Sequence, residues 1–532
     1  MAIPIPTGVR WPRPSCRLTA GNDMTPASRG RHHGLEPELL DPRKDMVLGF
    51  LYHSLPAPPV SAAAPLSRAV SPDSEDGEGA DRISGLPDSL LRRVLARLPA
   101  KDGARTAALS TRWRGLWRAA PLVLVDAHFL PLGAGRPPLP GAASRAVADA
   151  VSAALAAHPG PFPFVSLTCG FHGDADADRA ALARWFTLLA TKGLEELVFV
   201  NRPWPVRGLR LPAALFSCAS LRRLHLGAWV FPDTAKLPRG ASFPNLQELV
   251  LGAVVMEDRD LEFVLAASPV LQLLAVAGNL QGLRARLASQ NLKCVQFCLS
   301  VVEDLAVVDA PCLQRFFIWR CCSQRRGGRI KIRHSPQLNM LGYLEPGVHE
   351  LEIGNTIIKS GTRPNPRTVV PSVQTLALRV HFTVCNEVKM LASFLKCFPN
   401  VETLCIESQE THETSGKLNH KFWKETGPIE CVQSHLKTLV LREFQGEQNE
   451  LDFLMYIAEN APLLEKMVLV LKFGGYSASG EVAAKFMALD STRWASGGSK
   501  LRSLVSRLRE GGSVWCLKEA GNLNFGDPFF CF

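Results

Sequence analysis

The 532-residue sequence has no run of 18 consecutive apolar residues, so it offers no segment that would cross a bilayer as a helix. Its start lacks a charged stretch leading into an apolar one and a small-residue cleavage site, which points away from secretion and toward an intracellular location, cytoplasmic or nuclear. A phosphate-cradling glycine loop is missing too: Gly416 and Lys417 are followed by Leu418 and preceded by no correctly spaced glycine. Asp174, Asp176 and Asp178 imitate the opening of a calcium loop, but Arg179 replaces the turn glycine and Trp185 the closing carboxylate, so a helix start is the expected role. Cys321 and Cys322 are adjacent rather than spaced as a zinc-binding pair, and His32 and His33 have no further ligands in pattern. No cysteine sits in a recognisable nucleophile setting. The expectation is a chain with no catalytic residue, metal or cofactor of its own.

What is present is ordinary globular composition, 46% hydrophobic and 20% charged, in a length that implies several domains or one repeat array. The fourteen cysteines are scattered, which suits reduced, buried thiols better than a disulfide framework. A net charge of +11 raises nucleic acid as a partner. The densest basic cluster is Arg315, Arg320, Arg325, Arg326, Arg329, Lys331 and Arg333, for which a solvated loop between repeats is the simpler reading. Residues 1–80 are rich in proline and alanine, end in the acidic run SPDSEDGEGA, and show neither helical nor strand periodicity, so they are expected to form a disordered leader.

At Asp81 the texture changes. Pro87 and Asp88 suit a helix start, Leu90, Leu91, Val94, Leu95 and Leu98 recur at helical spacing, and Pro99 ends the run. Asp102 can cap a second helix carrying Ala107 and Leu109, and Ser110 or Thr111 a third carrying Trp113, Leu116 and Trp117. So small a unit cannot bury all these side chains alone and implies a partner. Between Asp81 and Asp126 stand nine Lys or Arg against four Asp, complementary to an acidic rim around an apolar groove.

This string resembles the F-box motif, through Ile83, Leu86, Pro87, Leu90, Leu91, Leu95, Leu98, Pro99, Lys101, Asp102, Thr106, Leu109, Ser110, Trp113, Leu116 and Trp117 in order and spacing. Ala96 stands where many plant members carry Ser, and Gly103 where they carry Ala. The resemblance implies docking at residues 81–125 onto the Skp-family adaptor of a cullin-RING ubiquitin ligase. The implied contacts are Leu86, Pro87, Leu90, Leu91, Leu95, Leu98, Pro99, Leu109, Trp113 and Trp117, some of which must also hold the module together.

Residues 126–426 read as a connector, an alanine-rich helix in ASRAVADAVSAALAAH, and then a repeat. The unit apolar-x-x-apolar-x-apolar begins at Leu194, Leu221, Leu246, Leu271, Leu292, Leu313, Leu338, Val373, Val401, Leu436 and Leu464, with a possible extra copy at Val348. Most intervals are about 21 to 28 residues, with amphipathic helical stretches between them, and each unit buries its apolar face only against neighbours. The pattern resembles irregular leucine-rich repeats, which implies an α/β solenoid with strands on its concave side and helices on its convex side. Asn279 and Cys321 occupy the position where regular repeats satisfy turn backbone groups. Residues interleaved with the buried strand positions are expected to face the concave side, among them Glu196, Arg223, His225, Glu248, Gln296, Arg315, Phe317, Glu350, Thr375 and Thr438. Their mixed chemistry fits protein recognition, with Arg223, His225, Glu248, Gln296, Arg315, Phe317 and Glu350 as candidate target contacts.

Residues 427–471 resemble the FBD region of plant F-box proteins through Cys431, His435, Leu436, Lys437, Phe444, Gly446, Glu450, Leu451, Phe453, Glu459, Asn460, Ala461, Leu464, Glu465 and Met467. They read as strand, helix and strand continuing the array, with a partly helical tail over 472–532. Cys431 and His435 suit packing better than metal binding. The expected function is a non-catalytic substrate receptor of a ubiquitin ligase, binding a target protein through the repeats. A non-ligase protein-binding scaffold, or a nucleic-acid-binding protein using residues 315–333, is the alternative.

Overall fold

The computed structural model describes residues 47, 49, 51–52, 54–60, 83, 85–130, 141–173, 175–201, 209–323, 327–411, 421–471, 489, 493–497, 501–505, 517–524 and 529. Most of the expected leader lies outside them, as do Asp174, Arg325, Arg326, Gly416, Lys417, His32 and His33. The chain divides into two compact units, residues 51–274 and residues 1–50 with 275–532.

The unit 51–274 contains three short consecutive helices: α1 Asp88–Leu95, α2 Ala100–Thr106 and α3 Thr111–Ala119. Pro87 and Pro99 cap α1 and α2, and Ser110 Oγ accepts a hydrogen bond from Trp113 N (3.3 Å) at the start of α3. Asp102 lies in the first turn of α2, not at its cap, and Ala107 and Leu109 fall in the turn beyond its end. Gly103 suits its place, because a Cβ there would come within 3.2 Å of Leu122.

Behind the helices runs a parallel sheet in the order β1 Val123–Val125, β2 Phe164–Leu167, β3 Glu196–Val200, β4 Arg223–Gly227, β5 Glu248–Gly252. The register aligns Leu197, Leu224 and Leu249, so the leucines of successive units form one buried row. Helices α4 Gly141–Ala157 and α5 Asp176–Thr191 make the first returns, and α6 Asp258–Ala267 follows β5. The buried Asp126 carboxylate accepts hydrogen bonds from Thr168 N and Cys169 N, both 2.7 Å, joining the ends of β1 and β2. Burial pushes its carboxyl above the ordinary range.

One stretch of the expected leader proves to have a place in the core. Residues 51, 52 and 54 are helical, and Leu51 is wholly buried. Gly227 and Gly252, at the ends of β4 and β5, make the room: a Cβ on either would fall 2.5 or 2.7 Å from Leu51 Cδ2. A single apolar contact of this kind carries no periodicity, so the sequence pattern around it does not announce it.

Strand β6 Leu273–Ala277 crosses the division between the units. The unit 275–532 holds two sheets. The strands β7 Leu283–Ala288, β9 Val302–Asp309, β11 Gly328–His334, β13 His349–Ile353 and β14 Thr356–Ile357 form one. The other runs β8 Cys294–Cys298, β10 Arg315–Trp319, β12 Met340–Leu344, β15 Thr375–Val380, β16 Thr403–Ser408, β17 Thr438–Phe444, β18 Lys466–Leu471 and β19 Leu501–Val505, parallel throughout. Each expected repeat delivers its strand two residues after its first apolar position, from Leu194 to Leu464. The copy expected at Val348 is β13, which belongs to the five-stranded sheet instead.

That five-stranded sheet corrects the expected helical convex side. From β7 to β13 the returns are strands, because Leu283, Ala285 and Leu287 are buried while Arg284, Arg286 and Ala288 are exposed, a period of two. Helical returns resume with α7 Cys385–Leu395 and α8 Gln448–Asn460. In the FBD-like segment, strand, helix and strand are β17, α8 and β18; Gly446 has φ +75°, and Glu447 and Glu450 form a reciprocal cap.

Candidate interaction surfaces

The helical module divides its apolar residues between two faces. Leu91, Leu95, Trp113 and Leu116 are buried, the first two completely, so they hold the module together and have no surface to offer a partner. Leu86, Leu98, Pro99 and Trp117 are half-buried, and Pro87 is exposed. Leu90 is 42% exposed, Val94 44% and Leu109 68%, and Ile83 is exposed beside them in sequence. Positions 90 and 94 are one helical turn apart and therefore share a face. Val94 was not among the expected contacts, although its i+4 spacing from Leu90 marks it. Arg93, Ala96 and Arg97 line an open hollow with Pro59 and Val60, and Arg93 and Arg97, three residues after Leu90 and Val94, give this face a basic border. Arg112 bonds the Asp88 carboxylate and the Leu86 carbonyl, both at 2.7 Å, and ties α3 to the start of α1.

The strand positions expected to look outward have several fates. In the unit 51–274, Arg223 is exposed and paired with Glu196 (2.7 Å). His225 is buried, with Nε2 3.1 Å from the half-buried Glu248. Burial works to raise the Glu248 carboxyl, but the hydrogen bond from His225 and the charge of Arg223 hold it below its ordinary value.

In the unit 275–532, Gln296, Arg315 and Phe317 are buried, contrary to the open concave face that alternation implies. The chain's own C-terminal residues cover them. Gln296 Nε2 donates to Leu517 O (3.1 Å), and Arg315 donates to Ala520 O, Asn522 O and Leu523 O at 3.1, 2.9 and 3.3 Å. The carbonyls that Arg315 meets lie at and just past the end of the helical turn α9 Leu517–Gly521, where a cation is well placed. Phe317 and Tyr343 each meet the ring of Phe529 at 5.3 Å, edge to face, and Arg442 Nη2 donates to Phe529 O (2.6 Å). Glu350 lies on β13 in the other sheet, exposed, and so does not share their face. Thr375 is buried and Thr438 half-buried.

Beside this lies an ion network that the reading of single residues missed. Arg379, Glu407 and Arg442 stand at one register position on β15, β16 and β17. Arg379 Nη1 is 2.6 Å from Glu345 Oε1, its Nε is 3.5 Å from Glu407, and Arg320 Nη2 is 3.8 Å from Glu407. Burial works to raise the Glu407 carboxyl, yet Arg379 and Arg320 keep it below the usual range. Aligning the repeats and reading the interleaved column would expose this pattern of Arg, Glu and Arg.

The basic cluster of residues 315–333 does not form a single free patch among the described residues. Arg315 serves backbone carbonyls and Arg320 faces Glu407, whereas Arg329 and Lys331, on β11, lie near Glu350 and Glu352. Asp176 and Asp178 lie in the first turn of α5, and Asp178 accepts a hydrogen bond from Gly173 N (2.8 Å). Asn279 Oδ1 accepts from Gln281 N (3.0 Å) and so serves turn backbone, whereas Cys321 Sγ contacts Phe297 O (3.3 Å), a carbonyl of strand β8. Cys431 packs its thiol on Leu395 O. Eleven described cysteines are reduced thiols, eight of them buried. Among the described residues no helix is long and apolar enough to cross a membrane, and no cluster of three or more His, Cys, Asp or Glu could hold a metal ion.

Comparison with known proteins agrees with this layout. Three family models match in chain order: the F-box domain over residues 83–123, the model described as FBD-associated F-box protein At5g56370, LRR repeats, over 182–406, and FBD over 424–469. F-box/LRR-repeat protein 13 of Arabidopsis thaliana is 25% identical over 74% of this chain and 90% of its own length. From the same plant, F-box/LRR-repeat protein At1g06630 is 29% identical over 70% of this chain and 96% of its own, and F-box/FBD/LRR-repeat protein At1g51370 is 24% identical over 73% and 89%.

Proposed function

The chain belongs to the plant F-box/FBD/leucine-rich-repeat family, and from that premise we propose that it is a non-catalytic substrate receptor of a cullin-RING ubiquitin ligase. It docks on a Skp-family adaptor, and through it on cullin and RING subunits, by way of the helical module. A target protein is held by the repeat strands. The chain contributes proximity: tethering a target beside the ubiquitin-charged enzyme raises the effective concentration of its lysines. The setting is the cytoplasm or nucleus.

The observation that carries the reading is the outward turn of Leu90, Val94 and Leu109 in a module whose own core is already filled by Leu91, Leu95, Trp113 and Leu116. Exposed apolar side chains bordered by arginine suit a groove with acidic edges. The test is capture of the full chain on an immobilised Skp-family adaptor. Wild type is retained, and a Leu90→Asp, Leu109→Asp variant of unchanged circular dichroism is lost; equal retention removes the proposed contact.

A further inference from the structure

The C-terminal residues lie on the repeat strands much as a bound peptide lies on a receptor. Side chains of the strands donate to the main-chain carbonyls of these residues: Gln296 to Leu517, Arg315 to Ala520, Asn522 and Leu523, and Arg442 to Phe529. Phe529 is wholly buried, its ring edge to face with those of Phe317 and Tyr343. Recognition of this kind reads backbone carbonyls and an aromatic ring, with Leu517 and Ala520 buried as well.

The receiving groups are also polar in a way a purely structural core does not need. Gln296 and Arg315 occupy buried strand positions where an apolar residue would seal the sheet with no partner at all, and both donate to C-terminal carbonyls. Removing that segment takes these carbonyl partners away from a guanidinium and an amide, and the carbonyls of another chain can replace them.

We infer that residues 517–524 together with Phe529 are an intramolecular stand-in for the target, and that the face formed by Gln296, Arg315, Phe317, Tyr343 and Arg442 takes a peptide segment of the same chemistry: a helical turn with open carbonyls at its end, then a phenylalanine. A tethered occupant competes at high effective concentration, so a free segment making equal contacts is held off until the tether's grip is weakened. This rests on the reading of the repeats as the target-binding part, and adaptor capture is measured alongside so that the two can fail separately.

The experiment uses the full chain and, as probe, a fluorescent synthetic peptide covering residues 515–532. Phe529→Ser weakens the occupant and leaves the receiving face intact, so it binds the probe at least tenfold more tightly than wild type. Adding Arg315→Gln to that variant abolishes the gain. Equal affinity of wild type and Phe529→Ser, or a gain that survives Arg315→Gln, overturns the inference. So does loss of cooperative thermal unfolding in Phe529→Ser, since the segment is then a fixed part of the core. Adaptor capture is unchanged in all of them; its loss from wild type strikes the ligase reading and leaves the peptide result standing.

Discussion

Leu51 takes the space that a side chain at position 252 would need: a Cβ on Gly252 would stand 2.7 Å from Leu51 Cδ2 and 2.9 Å from Cδ1. Gly252→Ala therefore displaces Leu51 and destabilises the unit by about 1–3 kcal/mol, as overpacking does. In a Leu51→Ala background the same change has an effect within about 0.5 kcal/mol, since the obstacle is gone. Urea denaturation of the four proteins checks this. An identical penalty in both backgrounds contradicts the contact.

Leu91 and Leu109 belong to the same helical module but have opposite roles. Leu91 is wholly buried, so Leu91→Ala lowers stability by about 2–5 kcal/mol through lost burial and a cavity. Leu109 is 68% exposed, and Leu109→Asp changes stability by no more than about 0.5 kcal/mol while weakening adaptor capture. Thermal melts and adaptor capture on the same two variants separate a folding defect from a contact defect.

Glu450 is wholly buried in the cap of α8, where its carboxylate meets Gln445 N at 3.1 Å and Glu447 N at 2.9 Å. Burial, only partly offset by those donors, pushes its carboxyl from 4.5 to about 7. The folded chain keeps a proton there that the unfolded chain gives up. The resulting stabilisation is complete below pH 4.5 and is lost as pH rises through about 7, a difference of about 3 kcal/mol. Glu450→Gln keeps an acceptor for the cap and removes the titration. Stability measured from pH 4 to 8 then falls less steeply in the variant than in wild type, and parallel curves count against the assignment.

Arg379 sits between two buried carboxylates, Glu345 and Glu407. Arg379→Met leaves both without their main cation and destabilises the chain by about 3–5 kcal/mol at pH 7. Glu407 is depressed in wild type, so its contribution is present above the ordinary carboxylate value of 4.5 and fades as pH falls through its lower folded value. The gap between wild type and variant accordingly narrows in acid. A gap of constant size from pH 7 to pH 4 argues that packing, not charge, is what the substitution removes.

The strands were legible because their signal is local and repeated. Leu224 and Leu226, or Leu249 and Leu251, mark a buried strand face by themselves, and the same spacing recurs through Leu464. The helical module was legible through Leu91, Leu95 and Trp113, although the pattern could not say which leucines turn inward: Leu90 and Leu91 are neighbours with opposite fates. The five-stranded sheet was missed even though Leu283, Ala285 and Leu287 alternate with Arg284 and Arg286, because the expectation of helical returns overrode a period of two. The covering of Gln296, Arg315 and Phe317 could not be read from their surroundings. Their partners lie more than 200 residues away, and the contacts of Gln296 and Arg315 are to main-chain carbonyls that any sequence supplies.

Ala228, Ala253, Leu299 and Arg320 have φ of +56°, +51°, +52° and +48°, and each directly follows β4, β5, β8 or β10; Gly278, at +68°, follows β6. The chain leaves strand after strand through the same left-handed step, even where the residue is not glycine and the step is disfavoured. Change in length is therefore quantised. A whole rung can be gained or lost with its exit intact, whereas one inserted residue in a strand such as β4 exchanges its buried and outward sides and shifts the exit off its site. Drift among relatives should accordingly accumulate between rungs, in the returns, and proceed within rungs by substitution alone.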